Sequence, residues 1–237
     1  MKRVHTPELL DTDSGTPSEI SDSIADLRRI NRWFGGVMTT VEMIRRVARE
    51  INSSSLSILE VAAGSGYVPQ MAQQHLRILG LHLQVTSLDR ARSHLGGGHR
   101  AVAGDALALP FRENSFDLVS CSLFAHHLNP EEVVQFVKEG LRVCRVAVLI
   151  NDLVRDRLHL LLVYAGLPLY RSRLTRHDAP ASVRQAYTTD EMRAMVTKAT
   201  TARAEIRRHY LFRMGATVWK DGKTTSALEL QTPDKHK

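Results

Sequence analysis

Two glycines one residue apart, Gly64 and Gly66, stand in the segment Ile58-Leu59-Glu60-Val61-Ala62-Ala63-Gly64-Ser65-Gly66-Tyr67. Glycine lacks a Cβ, so a turn built on this pair lets a ligand approach the backbone closely. A carboxylate, Glu60, precedes the turn. Two more, Asp89 and Asp105, close later short apolar runs. A carboxylate can accept two hydrogen bonds from a vicinal diol. One buried at a strand end is costly unless paired, so Glu60 calls for a partner. Three histidines are candidates for proton transfer. His126 and His127 lie in Phe124-Ala125-His126-His127-Leu128, and His177 lies in Arg176-His177-Asp178. An imidazole beside a carboxylate suits general base work near neutral pH. The competing roles are orientation of a loop for His126 and His127, and an exposed loop salt bridge among Arg176, His177 and Asp178.

These residues need elements to position them. Leu56 to Ala63 is an apolar run too short for a helix and closed by glycine, which reads as a buried strand. Val68, Met71, Ala72 and Leu79 then predict a helix. Leu83 to Leu88, Ala101 to Ala103, Phe116 to Ser120 and Val146 to Ile150 read as further strands. Asn129-Pro130-Glu131-Glu132 starts a helix: Asn caps, Pro takes the first position and the acids suit the dipole. Strands alternating with helices predict a parallel sheet covered on both faces. Ligands of such sheets bind outside the carboxyl ends of the strands, where Gly64, Asp89, Asp105 and His126 would all fall. Before this core, Thr16-Pro17-Ser18-Glu19 is a capping box. Ile20, Ile24, Leu27 and Ile30 follow it at helical spacing, and Val41, Ile44, Val47 and Ile51 mark a second helix. After the fifth strand, residues 153–187 are less regular. Thr188 to Glu191 caps another helix, and Ile206 to Phe212 with Gly215 to Trp219 read as a closing strand pair.

The turn is unlike two common phosphate cradles. In a dinucleotide fingerprint the third small residue falls at Pro69, which has no N–H and is not small. No Gly-Lys-Ser or Gly-Lys-Thr follows, so a Walker loop is absent. A cofactor without phosphates is the remaining reading.

On these residues the chain resembles class I S-adenosylmethionine-dependent methyltransferases. Glu60 and the Gly64-Ser65-Gly66 turn are similar to their first motif, with Ala62 where many members have another glycine. The resemblance covers roughly residues 56 to 151. It implies a Rossmann-like, mostly parallel seven-stranded α/β sheet with helices on both faces. It also implies S-adenosylmethionine as cofactor: Glu60 near its amino group, Asp89 on the ribose hydroxyls and Asp105 at the adenine amine. Ala62, Gly64, Gly66, Arg90, Ala106 and Ser122 complete the implied cofactor set. Residues 1–52 are expected to form a helical cap and 53–222 the methyltransferase domain, with an insert about 153–187 over the acceptor. Residues 223–237 are expected to be a flexible tail.

The acceptor leaves fewer marks. Ser120-Cys121-Ser122-Leu123-Phe124 is not an Asn/Asp-Pro-Pro-Tyr-like motif, which disfavours the adenine and glutamine N-methyltransferase branches. No acid ends the fourth strand, and a hard divalent ion needs several oxygen ligands, so no metal is expected. The insert holds an apolar stretch, Leu158 to Tyr164, that suits either core packing or an apolar acceptor. Trp33 and Phe34 precede Gly35-Gly36 and are expected to wall the methyl-transfer pocket, together with Asn151 and Tyr164. The expected reaction is methylation of a small apolar or phenolic molecule, at oxygen. C-methylation of a quinone-like ring is the second reading. Methylation of RNA or protein and a non-catalytic cofactor binder are further classes.

Composition bounds these readings. The chain has 237 residues, 43% hydrophobic and 24% charged, the ordinary range for one globular domain with additions. Lys and Arg number 32 against 25 Asp and Glu, a formal +7. The arginines form no dense run, and aromatics are only 5%, which argues against a nucleic-acid groove. No apolar run approaches the roughly 20 residues of a membrane span, and no secretory signal is visible. Cys121 and Cys144 read as reduced core thiols, so a cytoplasmic setting is expected. Oligomeric state has no signature.

Overall fold

A computed structural model describes residues 1–12, 14–90 and 100–220. The expected tail, 223–237, lies outside the described residues. Seven strands form one sheet in the order β3-β2-β1-β4-β5-β7-β6. β1 (Ser55–Val61), β2 (His82–Asp89), β3 (Arg100–Ala103), β4 (Phe116–Ser122) and β5 (Cys144–Leu153) run parallel. β7 (Arg213–Trp219) is antiparallel to both β5 and β6 (Ala204–His209). The order reverses at β1, so the turn after β1 opens at the switch point of the sheet, where ligands of such folds sit.

Side chains alternate across each strand, and the two faces bury separate cores. Ile58, Leu118 and Leu149 pack with Val41, Ile44 and Val47 of α2 (Gly36–Glu50) and Leu76 of α3 (Tyr67–Ile78). Leu59, Val119 and Ile150 pack with Val133 and Phe136 of α4 (Pro130–Val143) and Met192 and Val196 of α7 (Thr189–Ala199). Both cysteines are buried and free. The capping boxes at Thr16, Asn129 and Thr188 are all formed, so these three helix starts follow directly from local chemistry.

The insert is more regular than its sequence indicates. It holds α5 (Arg157–Gly166), a single 3-10 turn, and α6 (Arg173–Gln185). Local hydrogen bonds start both helices: Asp156 accepts from the Leu158 amide and Ser172 from the Leu174 amide.

The first helix, α1 (Pro17–Trp33), docks by its polar side. The residues it buries are Ser23, Asp26 and Asn31, while Ile20, Ile24, Leu27 and Ile30 stay half-buried. Asp26 accepts hydrogen bonds from the amides of Arg171 and Ser172, at 2.8 and 3.0 Å. Ser23 pairs with Thr175 at 3.0 Å. The cap helix and the insert are thus one hydrogen-bonded unit over the carboxyl edge. The segment before α1 wraps the same unit: Arg3 donates to the carbonyls of Gln185, His126 and Leu128.

Candidate functional site

The backbone after β1 is shaped for close approach. Gly64 and Gly66 adopt left-handed φ values of +51° and +69°. A Cβ on Gly64 would meet nothing within 4 Å, so this side of the turn faces open space. Ala62 also has a left-handed φ, +53°, a conformation that costs an L-residue about 1–2 kcal/mol. Outside asparagine, the other left-handed non-glycine residues among those described are Leu123 after β4 and Leu211 and Phe212 before β7. All lie at the carboxyl edge of the parallel strands, the concentration of strain expected where a site is held in shape.

Two carboxylates flank the turn. Asp89, at the end of β2, accepts from the Gly64 amide at 2.8 Å and so ties the turn to its strand. Glu60 is buried in the middle of the sheet and takes the hydroxyl hydrogen bond of Ser120, its register partner on β4. Burial raises its pKa to about 7, with hydrogen bonds from Ser120 and then Ser122 opposing the rise. Its proton affinity marks a place where a ligand cation would be welcome. Just beyond, Asn151 Oδ1 is buried without a partner among the described residues, and Asn151 is the register partner of Ser122 at the ends of β4 and β5. Asn151 uses its amide nitrogen to hold the cap, donating to the Gly36 carbonyl at 2.7 Å and to Thr40 Oγ1 at 2.8 Å. Asp105 follows β3, exposed, with Oδ1 accepting from the Leu107 amide at 2.9 Å and Ala106 half-buried beside it. Arg90 is exposed after β2.

The three histidines fall into different settings. His126 is buried in the turn after β4. Its Nδ1 lies 2.6 Å from Asp152 Oδ1, and its Nε2 lies 3.5 Å from Glu8 Oε1. Burial works against its charge, but Asp152 and Glu8 outweigh it and push the imidazole pKa up to about 10. His127 is half-buried, with Nδ1 2.9 Å from Asp11 Oδ2. His177, on α6, is exposed; its Nδ1 meets Asp178 Oδ1 at 2.8 Å. Asp178 also accepts from the amides of Leu9 and Leu10. Arg176 turns away to the Tyr170 carbonyl.

The expected pocket aromatics are open to solvent: Trp33 is 70% exposed, and Phe34 and Tyr164 are also exposed. α5 buries none of its residues, so the apolar stretch expected as core or pocket is not core. Leu158, Leu161 and Leu162 form one exposed apolar stripe on it, at helical spacing.

Several site residues had no visible signal in the sequence. Arg213 is buried at the start of β7, with Nε toward the Phe34 carbonyl at 3.3 Å and NH2 toward Asn31 Oδ1 at 3.1 Å. Its NH1 has no hydrogen-bond partner among the described residues. Burial brings its pKa down to about 10, with Asp152 opposing. Glu8 and Asp11 meet His126 and His127, partners more than a hundred residues away in the chain.

A five-strand parallel core, a switch point at β1 and an antiparallel β7 inserted between β5 and β6 define the class I, Rossmann-like methyltransferase fold. Residues 59–149 match the family model described as a methyltransferase domain. That match is a likeness to methyltransferase domains over this segment of the chain. Solved structures agree with the fold. The plantazolicin methyltransferase BpumL, in complex with a triazolic desmethylPZN analog and SAH, superposes with a TM-score of 0.66 at 14% identity, covering 90% of this chain and 95% of that one. An O-methyltransferase family 2 protein from Planctomyces limnophilus, in complex with apigenin, gives 0.57 at 16% identity over 87% of this chain and 62% of that one. A methyltransferase from Aquifex aeolicus gives 0.51 at 15% identity, over 74% and 88%. No curated protein matches the chain. Among the described residues no helix is long and apolar enough to cross a membrane.

Proposed function

We propose that the chain transfers a methyl group from S-adenosylmethionine to the oxygen of a small apolar or phenolic acceptor. The observation that carries this reading is the open Gly64–Gly66 turn between Glu60 and Asp89 at the switch point of the sheet. The donor set fits the cofactor. Glu60 suits an ammonium group, Asp89 a ribose diol and Asp105 an amine, while Gly64 and Gly66 leave the backbone open beside them. Ala62, Arg90, Ala106 and Ser122 line the same edge in this reading, and the unpartnered Asn151 Oδ1 offers a further polar contact there. The cofactor, when bound, supplies an electrophilic methyl on a sulfonium.

The chain's own task is alignment, exclusion of water and removal of a proton from the acceptor. α1 and the insert supply the cover, hydrogen-bonded to each other through Asp26, Ser23 and Thr175. Trp33, Phe34, Tyr164 and the Leu158–Leu162 stripe supply apolar surface for the acceptor. His177 serves as base in this reading: Asp178 holds its Nδ1, and its ring is exposed. His126 is fixed between Asp152 and Glu8, which suits a positioning residue, and His127 stands next to it. The acceptor oxygen gains the methyl, its proton passes to the base, and S-adenosylhomocysteine leaves.

The test is calorimetric titration with S-adenosylmethionine and S-adenosylhomocysteine, wild type against Asp89→Ala. Removing a charged hydrogen-bond acceptor costs about 1.5–3 kcal/mol, so micromolar binding weakened about 10- to 100-fold is expected. Labelled-methyl uptake into a panel of phenols and quinones then separates oxygen from carbon acceptors. Folded protein that binds neither ligand would overturn the reading.

A further inference from the structure

Away from the Gly64 turn, the segment before α1 meets the turn after β4 in a cluster of metal-ligating groups. Glu8, His126 and His127 each offer one ligand atom, all within 4.8 Å of one another. Glu8 Oε1 lies 3.5 Å from His126 Nε2, longer than a good hydrogen bond. It matches the separation of two ligands on one tetrahedral ion: with bonds of about 2.1 Å they stand about 3.4 Å apart.

The outer contacts fit the same geometry. A ligating histidine characteristically donates its other ring N–H to a carboxylate. Here Asp152 Oδ1 stands 2.6 Å from His126 Nδ1, which leaves Nε2 directed at Glu8, where a bound ion would displace the Nε2 proton, and Asp152 Oδ2 also accepts from the His126 amide. Ligating carboxylates are in turn hydrogen-bonded. Ser182 Oγ and Gln185 Nε2 each donate to Glu8 Oε1 at 2.6 Å. Asp11 supports His127 from 2.9 Å. Three carboxylates, Glu8, Asp11 and Asp152, therefore surround two imidazoles. The nearby guanidinium of Arg3 is engaged with the carbonyls of His126 and Leu128. Access is from the His127 and Asp11 side, which is open to solvent.

We infer that Glu8, His126 and His127 form a binding site for one divalent transition-metal ion of the zinc type, which clips the N-terminal segment to the turn after β4. Two imidazoles and one carboxylate favour zinc or cobalt over magnesium or calcium, which prefer all-oxygen shells. This differs from the hard-ion site at the ends of the fourth and fifth strands that the sequence argued against. Glu8 lies 118 residues from His126, and only the fold joins them. The inference is independent of methyl transfer.

The experiment uses the full chain without an affinity tag, stripped with a chelator and titrated with Zn²⁺ by calorimetry and with Co²⁺ by visible absorption. One ion bound at micromolar affinity or better is expected, with tetrahedral cobalt bands and a Tm that rises with zinc. Glu8→Gln and His127→Ala should each weaken binding at least tenfold. Asp152→Asn should weaken it about 10- to 100-fold as an outer contact. His127 is half-exposed, so its variant tests the site without disturbing the core. Absence of saturable binding in the wild type would overturn the inference. Binding that neither Glu8→Gln nor His127→Ala alters would do the same. So would variants that lower Tm equally with and without zinc, because the cluster would then be an ion-pair latch only.

Discussion

Replacing Glu60 by glutamine should remove a pH dependence of stability that the wild type carries. In the folded protein the Glu60 carboxyl titrates at about 7, against an ordinary value of 4.5. Between those values the folded state holds a proton that the unfolded chain has lost, so stability falls as pH rises. Glu60 is 1% exposed, so solvent screening does little to reduce the effect. A shift of this size corresponds to about 3 kcal/mol at 1.36 kcal/mol per pH unit. For a chain of this length that is about 6–12 °C in Tm. The amide of the Glu60→Gln variant keeps a partner for the Ser120 hydroxyl but cannot titrate. The assay is urea denaturation of both proteins from pH 4.5 to 8, taking the difference between the two curves. The wild type should lose about 3 kcal/mol relative to the variant across that window. His126, raised to about 10, stabilises fully below its ordinary 6.5 and loses that contribution as pH rises through 10. It is present in both proteins and cancels in the difference. Saturating S-adenosylhomocysteine, whose ammonium would face Glu60 in the proposed site, should shrink the slope. Parallel wild-type and variant curves without ligand would refute the argument, because Glu60 would then titrate as an ordinary carboxylate.

Gly64→Ala places a methyl in open space at a left-handed φ, so it should cost only about 1–2 kcal/mol of stability. If the cofactor lies against this turn, calorimetry should show affinity falling by a larger factor than stability; equal effects would argue against contact there. Asp26→Ala leaves the part-buried amide of Arg171 and the buried amide of Ser172 without their acceptor. A loss of about 1–3 kcal/mol is expected, with faster hydrogen exchange at those two amides. Unchanged exchange would show that α1 is not what holds the insert.

How far the residues alone reach is clearest at β1. An apolar run closed by Gly64-Ser65-Gly66 encodes its own strand, turn and following helix, because short-range sterics decide whether the chain can enter left-handed φ. The capping boxes at Thr16, Asn129 and Thr188 were legible for the same reason: the cap and its partner are three residues apart. The sheet class and the positions of Glu60, Asp89 and Asp105 at strand ends followed from strand–helix alternation. Other features were not legible. Helical spacing in α1 marks Ile20 and Leu27 as its buried face, yet the fold buries Asp26 and Ser23, because the insert presents free amides at Arg171 and Ser172. α5 has the composition of a core helix and no core to enter. The partners of His126, Glu8 and Asp152, lie 118 residues before it and 26 after it in the chain. Charge in a one-dimensional list has a sign but no distance. Pairing of β4 with β5 sets Asp152 beside that ring, packing of the N-terminal segment against the turn after β4 adds Glu8, and only packing α1 against β7 leaves Arg213 buried with an unfilled donor.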